Sequence, residues 1–333
     1  MKCYQFAFRK RRALVAAAAV AVIGIVAGCS LGLRGTIQDP VELSRENSRF
    51  VTIDDLRIHY TDSNHSTSGK TQSAAQPVLL LLHGYGGSVR DFDLVHDQLA
   101  ARYRIVAFDR PPFGLSQKAL KGDFGRYNPY TPERQSEFAL ELMDELHIDS
   151  AILLGHSAGG RAALLAASNH PERVEGLILV SPAVDGGGMG AFWRGVLSLP
   201  PMRWFGPSIV RLVYARADRL QKDSFHDPAA ITDEMRQEYW RGTKLHNWDR
   251  ALWRFTLTAR NMDWDEVAQN IIAPTLIITG DADVIVDPAV SKRLHAELPM
   301  STLHVFERTG HIAFQEQPEQ FLAVVHEWLR ETQ

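Results

Sequence analysis

Ser157 is the centre of the sequence GHSAG at positions 155–159, which follows the apolar run 151–154 and precedes an alanine-rich segment. Glycines two residues to either side remove β-carbons that would collide in a sharp turn between a strand and a helix. Such a turn exposes the serine hydroxyl at the edge of a sheet. The pattern therefore predicts that Ser157 is a nucleophile, although a serine in an ordinary turn could carry the same five residues.

A serine hydroxyl is a poor nucleophile at neutral pH, so it needs a base that takes its proton and an acid that holds the base. The chain has 13 histidines. His311 is the predicted base because its Thr-Gly-His loop comes just after the apolar segment 303–306, where a strand is expected to end. His304 and His326 fall within a strand-like and a helix-like segment, so a structural role is expected for them.

Asp283 is the predicted acid because it follows the strand-like run 275–279 in the sequence GDAD. Its role would be to fix the tautomer of the histidine and to stabilise the protonated ring. Asp281 and Asp287 are weaker candidates. One follows a turn glycine directly, and the other precedes a proline that starts a helix, so both favour turn or cap roles.

Two backbone N–H groups are predicted to form an oxyanion hole, in which one donor is typically worth about 3 kcal/mol. The N–H of Ala158 lies at the amino end of the predicted helix, where the helix dipole also favours an anion. The N–H of Tyr85 lies in the glycine-rich sequence HGYGG at 83–87, after the apolar run 78–82. His83 itself is expected to brace this loop.

A rival constellation uses His83, Asp109 and Ser157 in the chain order that unrelated β-barrel proteases use. The order His, Asp, Ser is present in this chain. However, a nucleophile elbow calls for the order Ser, acid, His, which Ser157, Asp283 and His311 satisfy. The set of His83, Asp109 and Ser157 is therefore the weaker prediction.

The surrounding pattern alternates buried strands with helices. Residues 50–62 predict two short antiparallel strands joined tightly. Strands are predicted at 78–82, 105–108, 151–154, 177–180 and 275–279, and helices at 91–101, 132–146, 158–169, 288–298 and 318–330. Continuous apolar strands are buried on both faces. We therefore predict an α/β fold, with a mainly parallel twisted sheet, helices on both faces and ligands at the carboxyl ends of the strands.

Residues 183–265 interrupt this alternation and predict an inserted helical cap. The segment contains six of the seven tryptophans of the chain, and most of them are expected to form the core of the cap. The core of the fold is then 49–182 together with 266–333. No internal repeat is present.

Composition limits the function. The 36 basic and 39 acidic residues give a net charge of −3, which does not fit a nucleic-acid partner. Both cysteines lie within the first thirty residues, so the body has no disulfide and no cysteine-ligated metal site. No metal or organic cofactor is implied by the predicted site.

The amino terminus resembles an export signal. Residues 1–12 carry five positive charges and no acid, and the apolar run 13–27 follows. The sequence VAGC at 26–29 resembles the lipobox of bacterial lipoproteins, which implies that residues 1–28 are removed, Cys29 is lipidated and 29–48 form a tether. A retained anchor over 13–33 is the alternative. Either way the body is expected to be exported and held at the membrane of a bacterial cell envelope.

Together these motifs resemble the α/β-hydrolase superfamily from about Phe50 to the carboxyl end. The sequence DRPPFGLS at 109–116 resembles the DRPGFGxS loop of that superfamily, with Pro112 in place of the usual glycine. The single HGYG sequence resembles the esterase and lipase group, in which the residue after the first glycine supplies the second oxyanion donor. That resemblance implies a carboxylesterase acting through an acyl-enzyme.

Other activities of the superfamily are weighed against this one. Dehalogenases and epoxide hydrolases carry an aspartate nucleophile, so Ser157 argues against both. Hydrolases of C–C bonds in ring-fission products resemble the chain in length and cap position but commonly have Asn at the position of His156. Lipase action on membrane lipid and a non-catalytic small-molecule binding protein remain further alternatives.

Overall fold

The structure is a computed structural model that describes residues 37–65, 76–185 and 191–332. The predicted signal segment 1–28 lies outside the described residues, and so does the first part of the predicted tether. Within the described ranges, no helix is both long enough and apolar enough to cross a membrane.

Eight strands form one sheet in the order β1-β2-β4-β3-β5-β6-β7-β8. Strands β1 and β2 pair antiparallel, β2 pairs antiparallel with β4, and all other pairs are parallel. The strands are β1 Ser48–Ile53, β2 Leu56–Asp62, β3 Val78–Leu82, β4 Arg104–Phe108, β5 Ala151–His156, β6 Val174–Val180, β7 Thr275–Gly280 and β8 Ser301–Phe306. The predicted mainly parallel α/β fold is confirmed, and each predicted strand is present.

Helices lie on both faces of this sheet and in the cap. They are α1 Asp93–Ala100, α2 Pro132–Glu145, α3 Ala158–Asn169, α4 Ala191–Leu197, α5 Pro200–Tyr214, α6 Ala217–Asp223, α7 Asp233–Arg241, α8 Trp248–Thr258, α9 Trp264–Gln269, α10 Pro288–Glu297, α11 Ala313–Glu316 and α12 Pro318–Thr332. Caps define several of their starts. Thr131 accepts a hydrogen bond from the N–H of Arg134 at the start of α2, for example, and Pro132 occupies its first position.

The central strands are apolar throughout because each face packs against a separate helical layer. In β3, Leu80 and Leu82 belong to the same buried cluster as Phe138 of α2. Leu79 and Leu81 belong to the cluster on the opposite face. Successive side chains of a strand point to opposite faces, so an unbroken apolar run is what this position in the sheet requires.

Helices α4 to α9 lie between β6 and β7, where the sequence predicts a cap. Trp253 and Trp264 are buried, and Trp253 belongs to the cap's own apolar cluster. Trp193 and Trp204 are exposed, so these two tryptophans do not belong to the core that was expected for most of the six. When a helix has two apolar faces and only one of them packs against the protein, the second face is exposed to solvent.

The described part of the predicted tether is attached to the cap. The N–H of Gln38 donates to the carbonyl of Lys244 over 3.1 Å. The Arg45 guanidinium donates to Glu234 and Glu238 over 2.7 and 2.8 Å. These contacts connect the start of the described chain to helix α7 and the turn that follows it.

Candidate active site

Ser157 occupies a strained turn between β5 and α3. Its φ is 51° and its ψ is −116°, in a region that side-chain-bearing residues rarely adopt. The neighbouring glycines make the turn possible. A β-carbon at Gly155 would lie 2.7 Å from the Gly159 carbonyl oxygen, and one at Gly159 would lie 2.0 Å from the Leu82 carbonyl oxygen. The backbone at 155–159 therefore has the conformation that the sequence pattern predicts.

Gly159→Ala is expected to destabilise the fold by about 3 kcal/mol or more, because the added methyl group meets backbone and not a flexible side chain. The midpoint and slope of urea unfolding measure this effect. Gly195→Ala is the matched control, since a β-carbon at Gly195 in helix α4 has no neighbour within 4 Å among the described residues. That change should be neutral or stabilise by about 1 kcal/mol. Equal unfolding free energies for the two variants would contradict the close packing of the turn.

His311 and Asp283 lie together at the carboxyl edge of the sheet. His311 Nδ1 and Asp283 Oδ2 are 2.7 Å apart, and both residues are buried. Burial alone would raise the pKa of Asp283, but the hydrogen bond and charge of His311 and two backbone donors outweigh it and lower that pKa. The two donors are the N–H groups of Ile285 and Val286, at 2.8 and 2.9 Å from Asp283 Oδ1. The carboxylate is therefore held charged and fixed in orientation.

The other two acidic candidates have the roles that their positions suggest. Asp287 caps helix α10, where its side chain accepts from the N–H of Ala289. Asp281 accepts from the N–H of Thr309 over 3.3 Å. Among the described residues, neither carboxylate has a hydrogen bond to a histidine.

One cavity of about 440 Å³ brings Ser157 and His311 to a common wall. The cavity is roofed by cap residues, including Leu220 and Ser224 of the α6 region and Met235 of α7. Its volume falls in the range typical of small-molecule sites. The carbonyl of Ser224 accepts the backbone N–H of His311 over 2.8 Å, so the cap also holds the histidine loop in place. Nothing in the sequence pattern around Ser224 predicted that contact.

The loop after β3 reaches the turn at Ser157. A β-carbon at Gly84 would lie 3.3 Å from Ser157 Cβ, so the loop and the turn are in contact, and Tyr85 lines the same cavity. Within the described part of the chain, the N–H groups of Tyr85 and Ala158 have no hydrogen-bond acceptor. Neither predicted oxyanion donor is therefore taken up by the described backbone.

The rival constellation of His83, Asp109 and Ser157 does not assemble. His83 Nε2 accepts the N–H of Arg110 at 2.9 Å, and its Nδ1 lies 2.7 Å from the carbonyl oxygen of Gly84. Burial and the charge of Arg110 lower the pKa of His83 to about 3, so the ring is neutral. Asp109 instead contacts His59 at 2.7 Å. His83 thus braces the loop, as expected.

His156 links the nucleophile turn to the histidine loop. Its Nε2 lies 3.1 Å from the carbonyl oxygen of His311, and the two rings are 4.8 Å apart. Burial and the neighbouring charge of His311 lower the pKa of His156 far below its usual value. A neutral ring that donates from Nε2 fits this contact. The sequence placed His156 beside the nucleophile but gave no sign of its partner.

Asp91 is a buried acid in the cavity wall that sequence reasoning missed. Its carboxylate accepts the N–H of Ser88 in a capping box, at 3.2 Å. Its side chain lines the cavity. Burial raises the pKa of Asp91 to about 7; the N–H of Ser88 opposes this shift, and the charges of Asp109 and Asp93 add to it. The capping box is visible in the sequence, whereas the burial is not.

Asp91→Asn is expected to stabilise the protein at high pH. Because the folded-state pKa is raised above the usual value of about 4, the wild type loses stability as pH rises from about 4 to about 7. An amide can still cap Ser88 and carries no charge. The gain in Tm should therefore be larger at about pH 9 than at about pH 5. Asp97→Asn, where the carboxylate is almost fully exposed, is the control and should show no such trend.

Within the described residues, no group of three or more His, Cys, Asp or Glu side chains is placed to hold a metal ion.

The chain matches known hydrolases over most of its length. A family model described as the alpha/beta hydrolase fold matches residues 77–318. The uncharacterized hydrolase YugF of Bacillus subtilis (strain 168) is 29% identical over 275 residues, which cover 81% of this chain and 93% of that protein. The 2-hydroxy-6-oxononadienedioate/2-hydroxy-6-oxononatrienedioate hydrolase of Burkholderia vietnamiensis (strain G4 / LMG 22486) is 30% identical over 292 residues, or 83% of this chain and 92% of that protein.

A solved structure titled as a membrane phospholipase A has a TM-score of 0.67 and 24% identity, with 100% of this chain and 99% of that chain covered. At that level of identity, the likeness concerns the fold alone.

Proposed function

This chain belongs to the alpha/beta hydrolase fold family, and from that membership and the site geometry we propose that it is a serine hydrolase of carboxylic esters. One observation carries the proposal. The strained Ser157 turn and His311 share one cavity wall, and Nδ1 of His311 is hydrogen-bonded to Asp283. Because Nδ1 is held, Nε2 is left to take the proton of Ser157.

In the proposed reaction, the Ser157 oxygen attacks the ester carbonyl while His311 takes its proton. The negative charge that develops on the carbonyl oxygen is stabilised by the N–H groups of Tyr85 and Ala158. His311 then gives the proton to the leaving alcohol, and the acyl group remains on Ser157. A water molecule, deprotonated by His311, attacks this acyl-enzyme and releases the acid, which regenerates the free serine.

Cleavage of a C–C bond is the second candidate, because the Burkholderia vietnamiensis relative is named for hydrolysis of dicarboxylate compounds. The charges of the cavity favour an uncharged ester. Among the described lining residues, Arg90 is the one guanidinium, and it is already paired with Asp93. Three further carboxyl groups also line the wall, at Asp91, Glu234 and Glu238. A dicarboxylate would find no unpaired guanidinium among the described lining residues, in a wall that holds more carboxyl groups than cations.

A substrate panel tests this choice. We expect hydrolysis of uncharged p-nitrophenyl esters of increasing chain length, unaffected by a chelator, and a kcat/KM at least about tenfold lower for an anionic ring-fission ketone. One further ester, of the same chain length as a good substrate but with an added carboxylate, separates the effect of substrate charge from the effect of reaction type. A higher kcat/KM for the ketone than for every ester would replace ester hydrolysis by C–C hydrolysis.

Export and membrane attachment through the amino terminus are part of the proposal. The lipobox-like sequence at 26–29, after a positively charged and apolar leader, supports this attachment. Mass spectrometry of the membrane-extracted protein should give an amino-terminal lipidated Cys29. An intact amino-terminal peptide with unmodified Cys29 would exclude lipoprotein processing and leave the retained anchor. Lipase action on membrane lipid would use the same chemistry on a substrate presented by a bilayer.

A further inference from the structure

Helix α5 of the cap is apolar on two opposite faces. Its inner face packs on helix α8 through Val210 and Tyr214, which are buried in one cluster with Trp253. Gly206 brings the helices close, since a β-carbon there would lie 2.0 Å from Trp253 Cε2. This inner face, with the ion pair between Arg211 and Asp249, attaches α5 to the cap. The apolar residues on the other side have no such role.

Helices α4 and α5, together with the residues between them, expose eight large apolar side chains. Trp204 is 81% exposed and Val213 is 57% exposed. In α4, Phe192 and Trp193 are 73% and 60% exposed, with ring centroids 5.4 Å apart. We call this surface the outer cap face; its residues are Phe192, Trp193, Leu199, Trp204, Phe205, Ile209, Leu212 and Val213. Grouped exposure of this kind marks an interaction surface, whereas single exposed apolar residues do not.

The charge of this segment is one-sided. Residues 186–217 contain four arginines and no acidic residue, in a chain whose net charge is −3. Arg211 is paired with Asp249 inside the cap, whereas Arg216 is exposed beside the end of α5. The segment that carries the exposed tryptophans therefore also carries an excess of positive charge. Tryptophan is the residue that prefers a bilayer interface, and arginine is attracted to anionic headgroups.

We propose that the outer cap face docks on the surface of an anionic lipid bilayer, with Trp193 and Trp204 inserted at the level of the headgroups. A second copy of the chain is a poorer occupant. In a two-fold contact the same basic segment would face itself, and the like charges would repel. An anionic bilayer covers the apolar side chains and neutralises the arginines together.

Docking in this way would bring lipid close to the cavity. Helix α6 begins three residues after the end of α5, and its Leu220 and Gln221, with Ser224 just beyond it, line the cavity. The inference goes beyond the proposed function because it concerns adsorption and does not need the protein to be catalytic. Its failure and the failure of ester hydrolysis are therefore separate results.

The test is quenching of tryptophan fluorescence in the full chain reconstituted into vesicles. The vesicles contain phosphatidylcholine with or without phosphatidylglycerol, and either ordinary or brominated acyl chains. We expect brominated lipid to quench the wild type, more strongly with phosphatidylglycerol, and added salt to reduce that difference. The variant Trp193→Ser/Trp204→Ser should lose this quenching. The control Trp264→Phe, which removes a buried tryptophan, should retain it.

Aqueous iodide supplies the complementary readout. Without lipid, iodide should quench Trp193 and Trp204, and vesicles should protect both. Three results would overturn the inference: no quenching by brominated lipid, equal quenching in the double variant, or equal quenching with and without phosphatidylglycerol. Protection from iodide before lipid is added would also overturn it, because another part of the chain or a second copy would then cover the face.

Discussion

Ser157→Ala is expected to lower kcat for a short-chain p-nitrophenyl ester by about 10⁶, with KM changed little. The alanine leaves the turn, the cavity and both oxyanion donors in place but removes the atom that forms the acyl-enzyme. Residual hydrolysis would come only from binding and from the oxyanion donors acting on water. Initial rates with purified wild type and variant, at equal concentrations of folded protein, measure the effect.

Ser181→Ala is the matched control for that variant. Ser181 directly follows the end of β6, and it also has a positive φ, of 44°. Its buried Oγ has no hydrogen-bond partner among the described residues. Its replacement should leave kcat within about threefold of the wild type, because no bond is lost. A kcat for Ser157→Ala within about tenfold of the wild type would show that the serine is not the nucleophile.

Asp283→Asn is expected to lower kcat by about 10⁴ while the protein stays folded. Oδ1 of Asp283 accepts two backbone N–H groups, so the amide oxygen of an asparagine would take that position. The amide NH₂ would then face His311 Nδ1, where Oδ2 is now 2.7 Å away. Nδ1 would have to become an acceptor, the proton would move to Nε2, and the ring could no longer take the proton of Ser157.

Asp281→Asn separates this tautomer effect from a general loss of charge at the strand end. Asp281 lies two residues earlier, and among the described residues its carboxylate accepts only the N–H of Thr309. Its replacement should change kcat by no more than a few-fold. If the two variants lost activity equally, the acid that orients His311 would have to be another group.

Much of the fold is readable from the sequence because the strands are buried on both faces. Runs such as Leu79 to Leu82 are apolar without alternation, and in the structure they lie in the middle of the sheet. The rule that ligands lie at the carboxyl ends of parallel strands then locates the loops of Ser157, Asp283 and His311. These three positions follow from strand ends, and only Ser157 also carries a local sequence motif.

Other features of the site and the cap depend on tertiary contacts between helices, loops and strands. Local sequence patterns do not encode these contacts. The sequence gives the apolar character of Trp204 but not the face of α5 that the rest of the cap covers. It gives the capping box of Asp91 but not the burial that raises the pKa of its carboxyl group. The contact of Ser224 with the backbone of His311 joins segments 87 residues apart, and it exists only because the cap lies over the sheet.

Labelling by a fluorophosphonate tests the central claim most directly, because that reagent phosphonylates a serine only where a base and oxyanion donors activate it. The account predicts one adduct per chain, located by peptide mass spectrometry on Ser157 in the wild type and formed far more slowly in His311→Gln. An unlabelled Ser157 in a preparation that still hydrolyses esters, or an adduct on another residue, would contradict the account.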